Sequence, residues 1–310
     1  MNIYSVVDRK RFGLFNFSND LERLLNPTNF HLIKKHNGEF GEQSNSLIFF
    51  LDILFASARG DKVLVWNIGP TFIFSLFFRL KGVQTIYTYH EPLSLKERIE
   101  KIDNFFLPLF NHLVTNIFLP LFTKIIVLKK SNIKNSFLYA PLPIKYNLIE
   151  PSKNYRPLTL LFLGGRIDSR AYKDFKRFTE SKKFNESDFK SDIFPKKNAT
   201  SESEKINIFK SKKVVIWNFF KIPYNQSGVT TDAIKYGIPL IVSNYEDLIK
   251  PSKEINNNPF IFVDSVDEIN IDLLSKIDRD YHNYSQNMRH FFDTSYSETS
   301  QTKYWLKALQ

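Results

Sequence analysis

The chain of 310 residues contains no cysteine, which excludes a disulfide scaffold, a thiol nucleophile and thiolate sites for zinc or iron–sulfur clusters. Glycine is scarce, with 10 residues, so the adjacent pair Gly164-Gly165 stands out. The amino terminus has no basic segment followed by a long apolar run and does not resemble a secretion signal. These absences favour a cytoplasmic protein.

The composition is that of a folded, basic protein. Hydrophobic residues make up 43% of the chain and include 31 Phe, which excludes a disordered polypeptide. Lys and Arg outnumber Asp and Glu by 43 to 32, a net charge of +11 that attracts anionic partners. The lysines are spread along the chain without a helix-turn-helix, an RNA-recognition motif or a zinc site. A nucleic-acid-binding protein is therefore the less favoured alternative, and we expect no nucleic-acid partner.

Short β-branched or aromatic runs alternate with longer helical patterns along the whole chain. Their residues are apolar at consecutive positions, as expected for parallel strands covered on both faces. This alternation predicts an α/β protein with parallel sheets. The predicted strands cover residues 2–7, 62–67, 84–89, 124–128, 158–163, 214–218, 239–243 and 260–263.

Four prolines between residues 139 and 157 mark a polar connection near the middle of the chain. The sequence thus predicts two Rossmann-like domains, residues 1–150 and 151–310, facing a cleft bounded by the carboxyl ends of both sheets. Residues 181–212 are rich in Lys, Ser, Asn and Glu and predict a surface excursion with one helix near 201–210. That excursion occupies the place where another strand of the second domain is expected.

Residues 104–123 carry no charge and hold five Phe and five Leu. Their length suffices for a membrane span, but Pro108, Pro120 and His112 within them are costly in hydrocarbon. Three interpretations stay open: buried helices, a segment lying in a membrane interface, and a true span. The shorter apolar run at 46–58 is interrupted by Asp52 and predicts a buried helix.

The most informative segment covers residues 214–244. A buried strand ends at Asn218, and after a loop Ser227 and Gly228 open a helix that Gly237 ends. Gly228 would let an anion approach free backbone N–H groups at the positive end of the helix dipole. Asp232 lies one turn further on, where it could face a ribose. An ordinary strand–loop–helix unit in which Ser227 is only a cap fits the same residues.

A second segment has the same design at the start of the second domain. The strand at 158–163 leads into Gly164-Gly165, and the cations Arg166, Arg170 and Lys173 follow. Forked guanidinium groups and a lysine at the carboxyl end of a first strand suit a diphosphate. A solvated basic helix face is the alternative.

In the first domain, His90 and Glu91 follow the strand at 84–89 directly. A histidine at this position could act as a base, an acid or a hydrogen-bond donor, and Glu91 could orient an acceptor hydroxyl. A histidine that only caps a loop is the alternative.

These segments, in this order, resemble nucleotide-sugar-dependent glycosyltransferases of the two-Rossmann-domain (GT-B) fold. They resemble in particular the family-four enzymes of bacterial surface polysaccharide synthesis. The resemblance covers most of the chain, and the last of its three motifs is the most specific. The motifs are His90-Glu91-Pro92, Phe162-Leu163-Gly164 with Arg170-Ala171-Tyr172-Lys173, and Tyr224-Asn225-Gln226-Ser227-Gly228-Val229 with Asp232-Ala233 and Tyr236-Gly237-Ile238-Pro239.

The resemblance implies a role for each matched residue. The donor diphosphate would be held by side chains and amides of the second domain, and Asp232 would take the ribose hydroxyls. His90, with Glu91, would line the acceptor and transferred-sugar site. The residues implied in donor binding are Gly164, Gly165, Arg166, Arg170, Lys173, Tyr224, Gln226, Ser227, Gly228, Val229 and Asp232.

Two positions depart from the family pattern of a glutamate pair eight residues apart. Tyr224 stands where the first carboxylate is expected, and the shorter Asp232 replaces the second. Because a tyrosine does not ionise at neutral pH, a catalytically inert GT-B subunit is the main alternative to an active enzyme.

The sequence as a whole predicts transfer of a glycosyl group from a nucleoside-diphosphate sugar to a glycan or lipid-linked hydroxyl. The resemblance implies retention of the anomeric configuration. We expect no cofactor and no metal, since Arg, Lys and a helix N-terminus can neutralise the leaving diphosphate. The net charge and the uncharged 104–123 stretch predict a peripheral enzyme on the inner, anionic face of the membrane.

Overall fold

The chain forms two compact units. A computed structural model describes residues 2–7, 12–26, 28, 31–36, 46–66, 71–89, 119–127, 137–144, 149, 157–164, 166, 170–194, 202–221, 227–243 and 258–310. Unit 1 consists of Met1–Lys145 and Glu298–Gln310, and unit 2 of Tyr146–Ser297. The division falls in the proline-rich connection. It differs from the predicted domains in that the last helix returns to unit 1.

Unit 1 is built on a six-stranded sheet in the order β2-β1-β3-β4-β5-β6, in which every described pair is parallel. Its strands are β1 (Asn2–Val7), β2 (His31–His36), β3 (Lys62–Val65), β4 (Gln84–Tyr89), β5 (Lys124–Val127) and β6 (Phe137–Tyr139). Its described helices are α1 (Phe12–Leu25), α2 (Ser46–Ala56), α3 (Thr71–Leu80) and α9 (Glu298–Leu309).

Unit 2 is built on a five-stranded sheet in the order β11-β10-β9-β7-β8, again parallel throughout its described pairs. Its strands are β7 (Thr159–Leu163), β8 (Lys190–Phe194), β9 (Val214–Asn218), β10 (Leu240–Ser243) and β11 (Phe260–Val263). Its described helices are α4 (Tyr172–Thr179), α5 (Lys182–Asn185), α6 (Glu202–Ser211), α7 (Gly228–Tyr236) and α8 (Ile271–Ser295). The predicted α/β class with parallel sheets is confirmed.

The consecutive apolar residues of the central strands are buried on both faces, as their pattern predicts. Every residue of β7 and of β9 is buried, because helices cover both sides of the sheet. On one side, the rings of Phe162, Phe175 and Trp217 pack edge to face or tilted, with centroids 5.3 to 5.5 Å apart. These aromatic contacts fix α4 against the two strands that carry the site described below.

The sequence missed three strands, all of them polar or short. Strand β8 lies inside the 181–212 segment, so the missing strand of the second domain is present and the prediction of a mere surface excursion is wrong. Its first residues are exposed because β8 is an edge strand, and exposed positions need no apolar side chains. Strand β2, with two lysines and two histidines, is also an edge strand, and β6 has three residues. The helix predicted near 201–210 is confirmed as α6.

The apolar segment 104–123 is described only at its end. Residues Leu119–Leu121 form a 3₁₀ turn, and Leu119 and Phe122 are buried in the core of unit 1. The Phe122 ring stacks on Tyr87, with centroids 5.1 Å apart. Residues 104–118 lie outside the described part of the chain. Within the described part, no helix combines the length and the apolar character needed to cross a membrane.

The helix predicted at 46–58 is confirmed as α2, but the prediction that it is buried is wrong. Phe50 and Ile53 are in the core, whereas Ile48 is 55% exposed and Phe55 is 78% exposed. The helix packs one side on the sheet and leaves apolar side chains on the other. An evenly apolar sequence cannot indicate which side is covered, because it has no polar face.

Candidate functional site

The strand order of unit 2 creates a favoured ligand position between β7 and β9. From β7 the chain proceeds to β8 on one side of it, and the later strands continue from β9 on the other side. Loops that leave neighbouring parallel strands in opposite directions open a crevice at their carboxyl ends, where open α/β sheets bind ligands. Phe162 of β7 pairs with Trp217 of β9, so Gly164 and Asn218 stand at this same edge.

Gly164 lets a charged side chain approach the backbone at the end of β7. Its φ is +105°, a conformation that residues with a side chain rarely adopt. A Cβ placed on Gly164 would lie 2.2 Å from Arg170 Nη1 and 3.5 Å from the Val229 side chain. A side chain at residue 164 would therefore displace the Arg170 guanidinium group, while its contact with Val229 would be an ordinary one.

Arg170 is 8% exposed and is held by a neutral amide and two aromatic rings. Its Nη2 donates to Asn218 Oδ1 at 2.9 Å. The centre of the guanidinium group lies 5.6 Å from the Phe162 ring and 5.4 Å from the Phe220 ring. These contacts fix the orientation of the guanidinium group, and none of them adds a negative charge.

Asn218 connects this cation to the start of α7. Its amide nitrogen donates to Thr230 Oγ1 at 3.0 Å, and its amide oxygen also accepts from Ser227 Oγ at 3.4 Å. Ser227 Oγ in turn accepts from the Val229 backbone N–H at 3.1 Å, which makes Ser227 the N-cap of α7 as predicted. Arg170, Asn218 and the first turn of α7 form one hydrogen-bonded cluster.

A strained residue follows Arg170 directly. Ala171 is fully buried and adopts the left-handed conformation, with φ 53° and ψ 37°, at the N-cap of α4. For a residue other than glycine, this conformation costs about 1–3 kcal/mol and persists only where packing enforces it. Such strain is concentrated at functional sites, and here it sets the direction in which the chain passes from Arg170 into α4.

Asp232 has a partner that the sequence did not indicate. Lys205 of α6 donates to Asp232 Oδ1 at 2.8 Å, and the lysine side chain is 4% exposed against 22% for the aspartate. The Lys205 ammonium also lies 5.9 Å from the Tyr236 ring. The ion pair fixes the orientation of the carboxylate, and the contact of Asp232 with a ribose stays a prediction.

The other predicted site residues divide into two groups. Lys173, in the first turn of α4, and Arg166 are exposed. The hydrogen bond and the negative charge of Glu180 raise the pKa of Lys176 in α4, and the positive charge of Arg166 opposes this shift. His90, Glu91, Gly165, Tyr224 and Gln226 lie outside the described residues.

Sequence reasoning missed four residues that build the site. Asn218 was recognised only as a strand end, Ala171 was named only as part of a motif, and no role was predicted for Thr230 or Lys205. A polar residue that closes an otherwise apolar strand was a usable signal for Asn218. The other three had none, because their roles depend on contacts between segments distant in sequence.

Together these groups can bind an anion at the carboxyl edge of the sheet. A buried guanidinium group lies beside the positive end of a nine-residue helix, and Gly228 at the first position of that helix is exposed. A cation and a helix N-terminus that converge on one edge are the arrangement that proteins use to bind phosphate groups.

Comparison with solved structures identifies the architecture. The Anabaena protein Alr3699/HepE, solved in complex with UDP and glucose, has a TM-score of 0.64 at 8% sequence identity, covering 100% of this chain and 99% of its own. An alpha-glucosyltransferase in complex with UDP and a 13-mer DNA has a TM-score of 0.71 at 11% identity, covering 100% and 99%. The chain has the GT-B glycosyltransferase fold.

The glycosyltransferase WaaG, involved in lipopolysaccharide biosynthesis, shares this fold, with a TM-score of 0.58, 12% identity and 100% coverage of both chains. No family model and no curated protein sequence matches the chain. At such low identities the likeness establishes the GT-B fold, and the narrower resemblance to family four stays a prediction.

Proposed function

We propose that this protein is a glycosyltransferase that uses a nucleoside-diphosphate sugar as donor. The observation that carries the proposal is the cluster of Gly164, Arg170, Asn218 and the first turn of α7 at the β7–β9 edge. It places a preorganised positive charge where this class of sheet binds ligands. The fold supports the same conclusion, since HepE and the alpha-glucosyltransferase were both solved with UDP.

In this proposal, unit 2 binds the donor. Arg170 and the backbone N–H groups at Ser227 and Gly228 take the diphosphate, with the exposed Lys173 and Arg166 as further cations. The Val229 N–H, also predicted to bind the donor, is bonded to the Ser227 side chain. Asp232 accepts hydrogen bonds from the ribose, and Lys205 fixes its orientation. Charge that develops on the leaving diphosphate is stabilised without reorganisation, because the guanidinium group is already held in place.

The reaction exchanges one bond at the anomeric carbon for another. The bond from this carbon to the diphosphate oxygen breaks, and its electron pair leaves with the nucleoside diphosphate. A bond to the acceptor hydroxyl oxygen forms, and the hydroxyl proton passes to a base. We assign His90 and Glu91 to the acceptor side, and from the resemblance we propose retention of configuration.

We further propose that the reaction needs no metal ion, because side-chain cations and the α7 dipole supply the positive charge that a metal would otherwise provide. Transfer measured after treatment with a chelator tests this. Activity should be unchanged, and restoration of a lost activity by Mg²⁺ or Mn²⁺ would contradict the proposal.

For the acceptor we propose a glycan or lipid-linked hydroxyl in cell-surface polysaccharide synthesis at the inner membrane face. The net charge of +11 and the similarity in fold to WaaG support this. The alpha-glucosyltransferase was solved with a 13-mer DNA, so the acceptor panel must include DNA. Transfer to duplex DNA but to no glycan would contradict this part of the proposal.

Binding of nucleotides by calorimetry is the direct test. UDP, GDP, dTDP and CMP should be compared, and one should bind. Arg170→Lys keeps the charge but loses the fork, and should weaken that binding by about tenfold or more. Arg177→Lys, on an exposed arginine of α4, the helix that follows Arg170, is the matched control and should change nothing. Unchanged affinity in a folded Arg170→Lys protein would refute the donor site.

A transfer assay then separates an enzyme from an inert subunit. The proposed enzyme releases nucleoside diphosphate from one sugar donor, and His90→Ala lowers turnover with little effect on nucleotide affinity. An inert GT-B subunit binds nucleotide without turnover. Tyr224→Glu restores the carboxylate that the family pattern has, so activity in this variant alone would identify the wild-type chain as the inert form.

A further inference from the structure

The exposed large hydrophobic side chains of the described chain are concentrated on two helices of unit 1. They are Ile48 and Phe55 of α2 and Leu76, Phe77 and Leu80 of α3, which we call the α2–α3 face. Phe55 and Leu80 are each 78% exposed. Single exposed apolar residues are common on protein surfaces, but a set confined to one surface indicates a contact site.

The two helices lie side by side, which makes their exposed side chains one surface. The rings of Phe50 in α2 and Phe74 in α3 stack with centroids 5.4 Å apart in the core below. Phe77 extends this aromatic contact outward, 6.3 Å from Phe74. Core packing therefore orients both helices and leaves the α2–α3 face outward.

Cations surround one end of the α2–α3 face. Arg79 is exposed between Phe77 and Leu80 along α3, and the exposed Lys81 follows it. The Lys81 ammonium donates to the Phe55 backbone oxygen at 3.2 Å, which places it at the carboxyl end of α2. Arg59 is also exposed and packs its side chain against Gly82. Asp52 of α2 is the one acidic residue in the two helices.

We propose that the α2–α3 face docks the protein on an anionic lipid bilayer. The five apolar side chains would enter the interface between headgroups and acyl chains, while Arg59, Arg79 and Lys81 contact lipid phosphates. A second copy of the chain fits less well, since a symmetric contact through this face would bring the same cations together. The inference rests on the proposed function in one respect, that the membrane carries the acceptor.

Flotation of the full chain with vesicles tests the docking surface. Phosphatidylcholine vesicles with phosphatidylglycerol should carry the protein, and pure phosphatidylcholine vesicles or high salt should carry much less. The double variant Phe55→Gln/Leu80→Gln should reduce the bound fraction about tenfold, because two apolar side chains no longer enter the bilayer. Both positions are exposed helix sites, so the fold should be kept.

A charge variant provides the matched comparison. Arg59→Gln/Arg79→Gln should lower binding to the anionic vesicles and leave the residual binding to neutral ones unchanged. Lys182→Gln/Lys183→Gln removes the same charge from exposed positions of α5 in unit 2 and should have a smaller effect. An equal loss of vesicle binding in these two double variants would show that net charge, and not the α2–α3 face, governs binding.

Other outcomes overturn the inference or separate it from the donor-site proposal. Equal flotation of the wild type and Phe55→Gln/Leu80→Gln refutes the surface, as does a wild type that binds no vesicle. A dimer in solution that this variant converts to a monomer would assign the face to a second copy. Nucleotide affinity measured on the same preparations should be equal in all variants, so a failure of vesicle binding is distinguishable from a failure of donor binding.

Discussion

At the scale of single residues, a neutral amide orients the guanidinium group of Arg170. The Asn218 amide oxygen accepts from the Arg170 guanidinium group and fixes its orientation without adding a negative charge. A carboxylate at the same distance would orient it equally well and cancel the charge. The amide therefore orients Arg170 without itself opposing the binding of an anion.

Asn218→Asp tests this argument with a nearly isosteric change. The new carboxylate should pair with Arg170 and place a negative charge beside the first turn of α7. We expect nucleotide affinity to fall by about tenfold or more, while the protein stays folded because the new carboxylate lies beside a buried cation. Calorimetry with the preferred nucleotide, together with a thermal melt, provides both readings. Full affinity in the folded variant would show that Arg170 does not contact the ligand.

Gly164→Ala separates backbone strain from displacement of Arg170. Both Gly164 and Gly60 have a positive φ, of +105° and +91°, but only at Gly164 would a Cβ meet the guanidinium group. Each alanine variant should lose about 1–3 kcal/mol of unfolding free energy from strain. Only Gly164→Ala should also lose nucleotide affinity. If both variants bound the nucleotide as tightly as the wild type, the close approach of Arg170 to the end of β7 would be contradicted.

At the scale of secondary-structure elements, α7 has clear signals at both ends. Ser227 caps its start through the Val229 N–H, and Gly237 ends it in the left-handed conformation with φ 67°. The sequence predicted both ends, because capping depends on residues adjacent in the chain. The sequence did not predict that Asn218 and Thr230 connect this helix to β9 and Arg170, since that requires the folded sheet.

Removal of the serine cap should affect both the helix and the ligand. Ser227→Ala should lower the unfolding free energy by about 1 kcal/mol and reduce nucleotide affinity, because the first turn of α7 loses its fixed position. Ser265→Ala is the control. Ser265 caps the turn Val266–Glu268 in the same unit through a reciprocal capping box, so it should cost similar stability and leave the affinity unchanged. Denaturant unfolding and calorimetry measure the two effects.

The pair Lys205–Asp232 connects α6 to α7. Lys205→Met leaves the aspartate without its buried cation, and we expect a loss of about 1–3 kcal/mol in unfolding free energy. The double variant with Asp232→Leu should recover part of that loss, since both charges are then removed. If Asp232 also binds the ribose, Lys205→Met should weaken the binding of a nucleoside diphosphate more than the binding of inorganic pyrophosphate. An equal effect on both ligands would contradict the ribose assignment.

At the scale of the whole molecule, α9 completes unit 1 although it lies at the other end of the sequence. Trp305 donates to the Pro141 backbone oxygen at 3.0 Å, and Gln301 bonds both the N–H and the oxygen of Ile144. The Trp305 and Trp66 rings are 5.6 Å apart. This helix is the reason that the compact units differ from a division at residue 150.

Alkaline pH should weaken the attachment of α9. Burial, with a smaller contribution from the neighbouring Tyr304, raises the pKa of Tyr139 from 10.0 to about 12. A raised pKa stabilises the fold fully below pH 10, and that contribution is lost as the pH rises through 12. The Tyr139 side chain is partly exposed, so solvent screens part of this effect. We therefore expect the free energy of unfolding to fall by about 1–2 kcal/mol.

Fluorescence can assign this loss to unit 1. In a Trp217→Phe background, the two remaining tryptophans, Trp66 and Trp305, both report on unit 1. Denaturant unfolding should become easier above pH 10, and Tyr139→Phe should reduce that dependence. Burial also raises the pKa of Tyr281 in unit 2, so the background is needed to separate the units. An unchanged pH dependence in Tyr139→Phe would assign the effect elsewhere.

The sequence by itself determined the parallel α/β class, the central strands and the capped helix α7, because apolar runs and capping residues act over short distances along the chain. It also selected Gly164, Arg170 and Ser227 for one site. Only the tertiary structure decided that Asn218 joins them, that Lys205 holds Asp232, that polar β8 completes the second sheet and that α9 belongs to unit 1. Each of these depends on contacts between distant segments, and such contacts leave no periodic signal in the residues that make them.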